Sequence, residues 1–192
     1  MKLYWLDIES TGLNPGSDQI LEIAISVADF EKPFDAKPIY HKVLHVDESD
    51  IGESHRTVQE MHTKNGLWKE CLDSENYTWD VERTLLDLIP YEGDADVRHI
   101  LAGSCIHFDK MFLRNHMPQF HERFSHRLYD VTNIKLFCRS LGMPKMPKGE
   151  THRAPADVLE SIAHGRKCAD WLRSEVMRGP QWGFEVVKVD GK

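Results

Sequence analysis

Two apolar runs near the start of the chain, at residues 3–8 and 20–28, constrain the fold more than any other feature. They are separated by TGLNPG, residues 11–16, a segment whose glycine, asparagine and proline residues favour a turn. Apolar runs of this length, bounded by turn signals, are typical of strands. We therefore expect the chain to open as a meander of three strands, at residues 2–8, 19–29 and 37–46.

The rest of the chain alternates between predicted helices and strands. Residues 53–72 are polar and predicted to be helical in pieces, and apolar residues at helical spacing predict an amphipathic helix at 79–89. Further on we expect strands at 99–102 and 129–131, helices at 109–116, 132–141 and 155–176, a loop at 142–150 and a strand at 184–189. Without any dividing linker, this order predicts one α/β or α+β domain, a mixed sheet covered by helices.

Composition limits the function classes. With 192 residues, of which 41% are hydrophobic, the chain can bury a core of its own. No apolar stretch approaches the roughly 18 residues of a membrane span, and four scattered cysteines favour reduced thiols, so we expect a soluble cytoplasmic protein without a membrane partner. The net charge of −7 argues against a broad basic face for nucleic acid, although a site that holds a few nucleotides through metal ions needs none.

Asp7 and Glu9 form a D-x-E pair at the end of the first predicted strand. Because side chains alternate along a strand, both carboxylates point to one face and Ile8 to the other. This suits metal binding or acid–base chemistry, but also a merely polar strand end. The spacing alone is a weak signal, since three further D-x-E pairs occur, Asp29/Glu31, Asp73/Glu75 and Asp80/Glu82. Only the first pair lies between an apolar run and a turn.

His152 and Asp157 lie five residues apart, around Pro155. Proline is best tolerated in the first turn of a helix, so the last predicted helix should begin near it. Asp157 then lies in the first turn, where the helix dipole favours its charge, and His152 lies on the preceding loop. An ordinary acid at a helix start beside an exposed histidine is the alternative. Asp109 is likewise expected at a helix start, where it could be a simple capping residue.

Taken in order, Asp7, Glu9, Asp109, His152 and Asp157 resemble the catalytic set of the DEDDh exonucleases, and among these the chain resembles the oligoribonuclease family. The resemblance extends to about Leu172 through five blocks: LYWLDIESTGLNPGSDQILEIA, MHTKNGL, GSCIHFDKMFLRNHMP, RLYDVTNIKLF and THRAPADVLESI. It implies an RNase H-like fold for a domain of residues 1–175, with residues 176–192 as a C-terminal tail extension. It also implies 3′-to-5′ hydrolysis of short single-stranded RNA, down to dinucleotides, into 5′-mononucleotides, with single-stranded DNA left open as a substrate.

The resemblance further implies two divalent cations, Mg²⁺ or Mn²⁺. Asp7 would bridge both ions, Glu9 and Asp157 would hold the one that activates water, and Asp109 would assist at the other. His152 would be the general base, a role that suits an imidazole because it titrates near neutrality. The charges agree with this arrangement, since converging carboxylates repel by roughly 4 kcal/mol per pair at about 4 Å and an effective dielectric of about 20. Hard oxygen ligands favour Mg²⁺ or Mn²⁺.

Substrate contacts are implied as well. Leu13 matches a leucine that wedges between two bases, and Arg127 and Thr132 match a cap over the 5′ phosphate, where a serine is usual in place of the threonine. Cys105 stands where the family has a phosphate-contacting serine, and His126 replaces a tyrosine, so this cap differs from the family's. His62 matches a histidine that a partner subunit contributes, which implies a homodimer.

Two other functions remain open at this point. A DEDDh exonuclease that trims the 3′ ends of longer single-stranded DNA or RNA would keep the same five catalytic residues. A module that binds nucleic acid or metal without turnover is the second alternative, although all five positions hold chemically competent residues.

Overall fold

The computed structural model describes residues 1–91, 99–147 and 149–177. Five strands lie among these residues: β1 (Lys2–Ser10), β2 (Ile20–Asp29), β3 (Lys37–Val43), β4 (His99–Gly103) and β5 (Phe124–Asp130). The helices are α1 (Glu48–Glu53), α2 (Arg56–Lys64), α3 (Leu67–Asp73), α4 (Thr78–Leu88), α5 (Ile106–His116), α6 (Pro118–His121), α7 (Val131–Ser140) and α8 (Ala154–Met177). In this part of the chain, no helix is long and apolar enough to cross a membrane.

The strands form one mixed sheet in the order β3-β2-β1-β4-β5. The first three strands pair antiparallel, as the predicted meander requires, whereas β1 with β4 and β4 with β5 pair parallel. Parallel neighbours need long crossover connections. The segment with α1–α4 links β3 to β4, and the segment with α5 and α6 links β4 to β5. The predicted mixed sheet flanked by helices is confirmed.

Each face of the sheet has its own core, and β1 contributes to both. Tyr4 and Leu6 belong to a cluster with buried residues of α4 and α5. Leu3 and Trp5 belong to a second cluster that contains Val158 of α8. The alternation of a strand thus assigns the odd-numbered positions of β1 to the α8 side.

Several element bounds differ from the sequence-based expectation. β1 continues to Ser10, so Asp7 and Glu9 lie on the strand itself. β5 begins at Phe124, five residues before the predicted strand. The prediction missed its first part because residues 125–127 are polar, which an edge strand tolerates. β3 ends at Val43, not at residue 46, and the short helix α6 was not expected. The predicted strand at 184–189 and nearly all of the predicted tail at 176–192 lie outside the described residues.

Candidate active site

The D-x-E pair faces the N-terminal end of α8. Because Leu3 and Trp5 pack on the α8 side of the sheet, Asp7 and Glu9 project to the same side further along β1. Asp7 pairs with Ala24 of β2 across the strand ladder, and Glu9 pairs with Glu22. The first D-x-E copy therefore directs both carboxylates toward a helix that carries another acid.

The start of α8 holds His152 and Asp157 as the proline pattern predicts. The helix begins at Ala154, so Pro155 and Asp157 lie in its first turn and His152 lies on the preceding loop. Potential ligand atoms of Glu9, His152 and Asp157 all lie within 4.8 Å of one another. The structure therefore brings together an acid from the first strand with a histidine and an acid from the last helix, more than 140 residues later in the chain.

Asp109 joins this group from α5. That helix begins at Ile106, three residues earlier than expected, so Asp109 lies further along the first turn. Its Oδ1 accepts a hydrogen bond of 2.8 Å from the backbone N–H of Ile8, the residue between Asp7 and Glu9. Simple capping of its own helix therefore does not describe Asp109, which binds β1 beside the acid pair.

Burial and like charge disfavour the ionised forms of these acids. Burial, followed by the charges of Asp7 and Asp157, raises the pKa of Glu9 to about 9. Burial, followed by the charge of Asp7, likewise raises the pKa of Asp109 well above its usual value. Both shifts show that the ionised forms of Glu9 and Asp109 are opposed by burial and by neighbouring negative charge. Asp7, Glu9, Asp109 and Asp157 offer only carboxylate oxygens, the ligands that hard divalent cations prefer.

His62 occupies an unexpected place. Its side chain is fully buried in its own chain, with Nε2 3.7 Å from Oε2 of Glu9 and its ring edge-on to Trp68. Burial, followed by the electrostatic interaction with nearby His152, lowers the pKa of His62 to about 4, so the ring of His62 is neutral at pH 7. Within its own chain, the ring of His62 thus lies against Glu9, and its contribution to a partner subunit's site stays a prediction.

A cavity of about 400 Å³ opens beside the acids. It is lined by Asp7, Ser104, Cys105, Thr132, Lys135, Asp157, Glu160 and Ser161. Cys105 and Thr132 form one unit at its edge, since the Cys105 N–H donates to Thr132 Oγ1 at 3.1 Å and Cys105 Sγ lies 3.4 Å from the same oxygen. Cys105 itself has a left-handed backbone, with φ of 55°. Two of the expected substrate contacts thus share a cavity with two of the expected metal ligands.

Leu13 lies on the loop between β1 and β2 with 78% of its surface exposed. Asp18 holds this loop, because its carboxylate accepts hydrogen bonds from the Asn14 N–H at 2.7 Å and from Thr11 Oγ1 at 3.1 Å. Gly12 packs so closely on Asp18 that an added Cβ would lie 2.6 Å from the carboxylate. An exposed leucine on a loop with these internal bonds suits contact with a ligand better than packing.

Arg127 and His126 are exposed on β5. Among the described residues, neither lines the cavity beside the acids. The structure therefore brings Cys105 and Thr132 to the acids but leaves the two other expected cap positions on the neighbouring edge strand.

Sequence reasoning missed four residues around the site. Glu22 and Arg153 form a buried ion pair behind it, Asn65 contacts the His152 loop, and Lys135 lines the cavity. Glu22 left a usable signal, because it is a lone acid inside an otherwise apolar strand. Asn65 and Lys135 left none, since both lie in ordinary polar sequence.

Comparisons with known proteins identify a family for the chain. Residues 4–164 match the model of the exonuclease (RNase T) family. The oligoribonuclease of Mycobacterium avium is 36% identical over 167 residues, which cover 84% of this chain and 76% of that protein. The probable oligoribonuclease of Schizosaccharomyces pombe is 34% identical over 167 residues, covering 83% and 64% respectively.

Among solved structures, Escherichia coli exonuclease I in complex with a 5cy-dT13 oligonucleotide has a TM-score of 0.60 at 16% identity. The match covers 92% of this chain and 45% of that one, and at this identity it bears on the fold alone. The fold and its converging acids define the DEDDh class of exonucleases. Within that class, the chain belongs to the oligoribonuclease family.

Proposed function

We propose that this protein hydrolyses short oligoribonucleotides from the 3′ end and releases 5′-mononucleotides. The observation that carries the proposal is the convergence of Glu9, His152 and Asp157 within 4.8 Å, next to a cavity that Asp7 also lines. The relatives at about 35% identity are oligoribonucleases by name, which supports RNA of a few nucleotides as the substrate. The net charge of −7 also favours short substrates over long strands.

The cofactors proposed are two divalent cations, Mg²⁺ or Mn²⁺, held by Asp7, Glu9, Asp109 and Asp157. The raised pKa values of Glu9 and Asp109 support this, because bound cations would offset both the burial penalty and the repulsion that raise them. Such ions, when bound, lower the pKa of a water molecule and stabilise negative charge on phosphate and on a leaving oxygen.

His152 is the proposed general base. It accepts a proton from the attacking water, whose oxygen forms a bond to the phosphorus of the terminal phosphodiester. The bond from that phosphorus to the 3′ oxygen of the preceding nucleotide breaks, and this oxygen takes a proton from solvent. Because His152 lies on a loop and not inside α8, its ring can approach the water from outside the group of acids.

Substrate contacts are proposed for Leu13, Cys105, Arg127 and Thr132. Leu13 offers exposed apolar surface to the bases, and Thr132 and Cys105 offer a hydroxyl and a thiol to a phosphate at the cavity edge. A thiol is a weak hydrogen-bond donor. Arg127 on β5 is the proposed cation for the 5′ phosphate, for which its planar fork is suited.

The test is an assay on 5′-labelled RNA of two to twenty nucleotides with Mg²⁺ or Mn²⁺. Metal-dependent shortening from the 3′ end, fastest on the dinucleotide, is the expected result. Asp7→Ala should abolish the reaction, whereas Asp29→Ala, in a second D-x-E pair, should leave it unchanged. Undiminished release of mononucleotides by Asp7→Ala would overturn the assignment of the site.

Trimming of longer single strands is the second candidate, and one observation favours it. A groove of about 240 Å³ shares Thr132 and Lys135 with the acid cavity and is also lined by Arg139 and Lys145. Cations beside the acids could hold the backbone of a longer strand. If so, Arg139→Ala would slow cleavage of a 20-mer at least ten-fold more than cleavage of a dinucleotide. Equal slowing of the two reactions by Arg139→Ala would argue against this candidate.

A homodimer and a cytoplasmic location stay predictions. With His62 buried in its own chain, the dimer is supported by the family resemblance alone. Light scattering after gel filtration measures the mass, for which we expect twice the 22.2 kDa of the chain.

A further inference from the structure

Asn65, at the end of α2, contacts the backbone of the loop that carries His152. Its Nδ2 donates hydrogen bonds to the carbonyl oxygens of His152 at 2.6 Å and Thr151 at 3.2 Å. Its Oδ1 accepts a hydrogen bond of 3.1 Å from the N–H of Leu67, the first residue of α3. The side-chain amide of Asn65 therefore joins the α2–α3 turn to the backbone carbonyls of two consecutive residues, Thr151 and His152.

His152 needs such support because its backbone is left-handed, with φ of 47°. Residues other than glycine rarely adopt this conformation, and they keep it only where their surroundings hold it. The conformation also decides where the ring points. A relaxed backbone at residue 152 would turn the imidazole away from Glu9 and Asp157, with which it is now grouped.

The chain after His152 is held separately. Arg153 donates through Nε and Nη2 to the buried carboxylate of Glu22, at 3.1 Å and 2.9 Å, and through Nη1 and Nη2 to Glu70 at 2.9 Å and 2.7 Å. The Ala154 N–H donates to Glu22 at 2.8 Å. These bonds fix residues 153 and 154 to β2 but leave the carbonyls of 151 and 152 to Asn65.

We infer that Asn65 is a positioning residue for His152: its amide holds the loop backbone in the conformation that directs the imidazole toward the acids. The inference rests on the proposed function, in which His152 accepts the proton from water. Asn65 makes no hydrogen bond to the acids in the described part of the chain. Its Nδ2 also lies 3.5 Å from Nδ1 of the buried His62, a longer contact than either bond to the loop carbonyls. The double-mutant cycle below distinguishes an effect through His152 from one through His62.

The first test compares variants of Asn65. Asn65→Ala removes the donor and the acceptor, whereas Asn65→Asp keeps the shape and the bond from Leu67 but replaces the donor with an oxygen that repels both carbonyls. Both should lower kcat on a dinucleotide by about 10- to 100-fold, as expected for a displaced catalytic group, with KM changed by less than about two-fold. Thr63→Ala, an exposed neighbour on α2, is the matched control and should keep full activity. A kcat within two-fold of the unchanged enzyme for either Asn65 variant would overturn the inference.

The second test is a double-mutant cycle with His152→Ala, measured under single-turnover conditions with Mn²⁺. If Asn65 acts only through His152, Asn65→Ala should lower the rate by less than about two-fold once the imidazole is gone. An equal loss in both backgrounds would mean that Asn65 supports the fold generally, and the inference would fail. Calorimetric Mn²⁺ binding should be the same for Asn65→Ala and the unchanged protein, and a loss of binding would likewise contradict it.

The two tests separate this inference from the proposed function. If the unchanged protein released no mononucleotides, or if His152→Ala were fully active, the proposed function would fail and the inference with it. If His152→Ala is impaired and Asn65→Ala is not, the proposed function stands and only the inference fails.

Discussion

At the scale of single residues, Glu9 is the clearest example of a side chain held in an unfavourable state. Its folded pKa of about 9 lies far above its usual value of 4.5, since burial and two neighbouring carboxylates oppose its charge. Between pH 4.5 and about pH 9, the folded protein therefore keeps a proton on Glu9 that the unfolded chain has lost. In the metal-free protein, Glu9 therefore contributes stability that is complete below pH 4.5 and lost as pH rises toward 9.

We predict that the free energy of unfolding of the metal-free protein falls between pH 7 and pH 8. The fall is about 1.4 kcal/mol for each proton that the folded protein retains and the unfolded chain has lost. The lowered pKa values of Glu22 and His62 act at lower pH and do not oppose this slope. Urea denaturation in EDTA measures it. Glu9→Gln should reduce the slope and Glu31→Gln, an exposed acid, should not. A stability that stays flat or rises from pH 7 to pH 8 would contradict the proposed state of Glu9.

Leu13 gives a second test at this scale. With 78% of its surface exposed, it contributes little to the core, so Leu13→Ala should leave the melting temperature unchanged. If its side chain contacts the bases, the same variant should lower kcat/KM on a dinucleotide by about ten-fold, as expected for loss of a buried apolar contact on binding. Leu88→Ala, a partly exposed leucine on α4, is the control. Unchanged kcat/KM in Leu13→Ala would remove Leu13 from the substrate contacts.

At the scale of elements, periodicity and turn signals predicted the hairpin of β1 and β2, with the end of β1 two residues too early, and the start of α8 within one residue. They underestimated β5, because strand patterns are recognised by apolar residues and an edge strand can carry Ser125, His126 and Arg127. They also began α5 too late. Cys105 has a left-handed backbone conformation, and the helix begins directly after it at Ile106. A cysteine in the sequence does not predict this conformation.

The start of α8 depends on a partner that no local pattern indicates. Burial alone would raise the pKa of Glu22, but hydrogen bonds from Arg153 and the Ala154 N–H lower it below its usual value. Glu22→Gln removes the fully buried charge that Arg153 and the Ala154 N–H both bind, and leaves Arg153 only the half-exposed Glu70. We expect this to lower the free energy of unfolding by about 3 kcal/mol. Glu70→Gln removes the half-exposed partner of the same arginine and should cost less than about 1 kcal/mol. Similar losses for the two variants, measured by urea denaturation, would contradict this difference.

At the scale of the whole molecule, the order of Asp7, Glu9, Asp109, His152 and Asp157 in the sequence was enough to propose a site but not to describe its surroundings. Residues near each other in space but distant in sequence, such as Asn65 and His152, leave no pattern in a single chain. The same holds for His62, because no local pattern predicts its contact with Glu9 of its own chain. The fold decides such contacts, and the sequence predicts only the elements that make them.

The central claim is that side chains from β1, α5 and α8 form one acidic group whose charge is balanced by a pair of divalent cations. Anomalous diffraction from crystals grown with Mn²⁺ tests it most directly. We predict two manganese positions per chain, with Asp7 in contact with both and Glu9, Asp109 and Asp157 completing the ligands. Manganese bound elsewhere, or none at these four carboxylates at millimolar concentration, would contradict the claim.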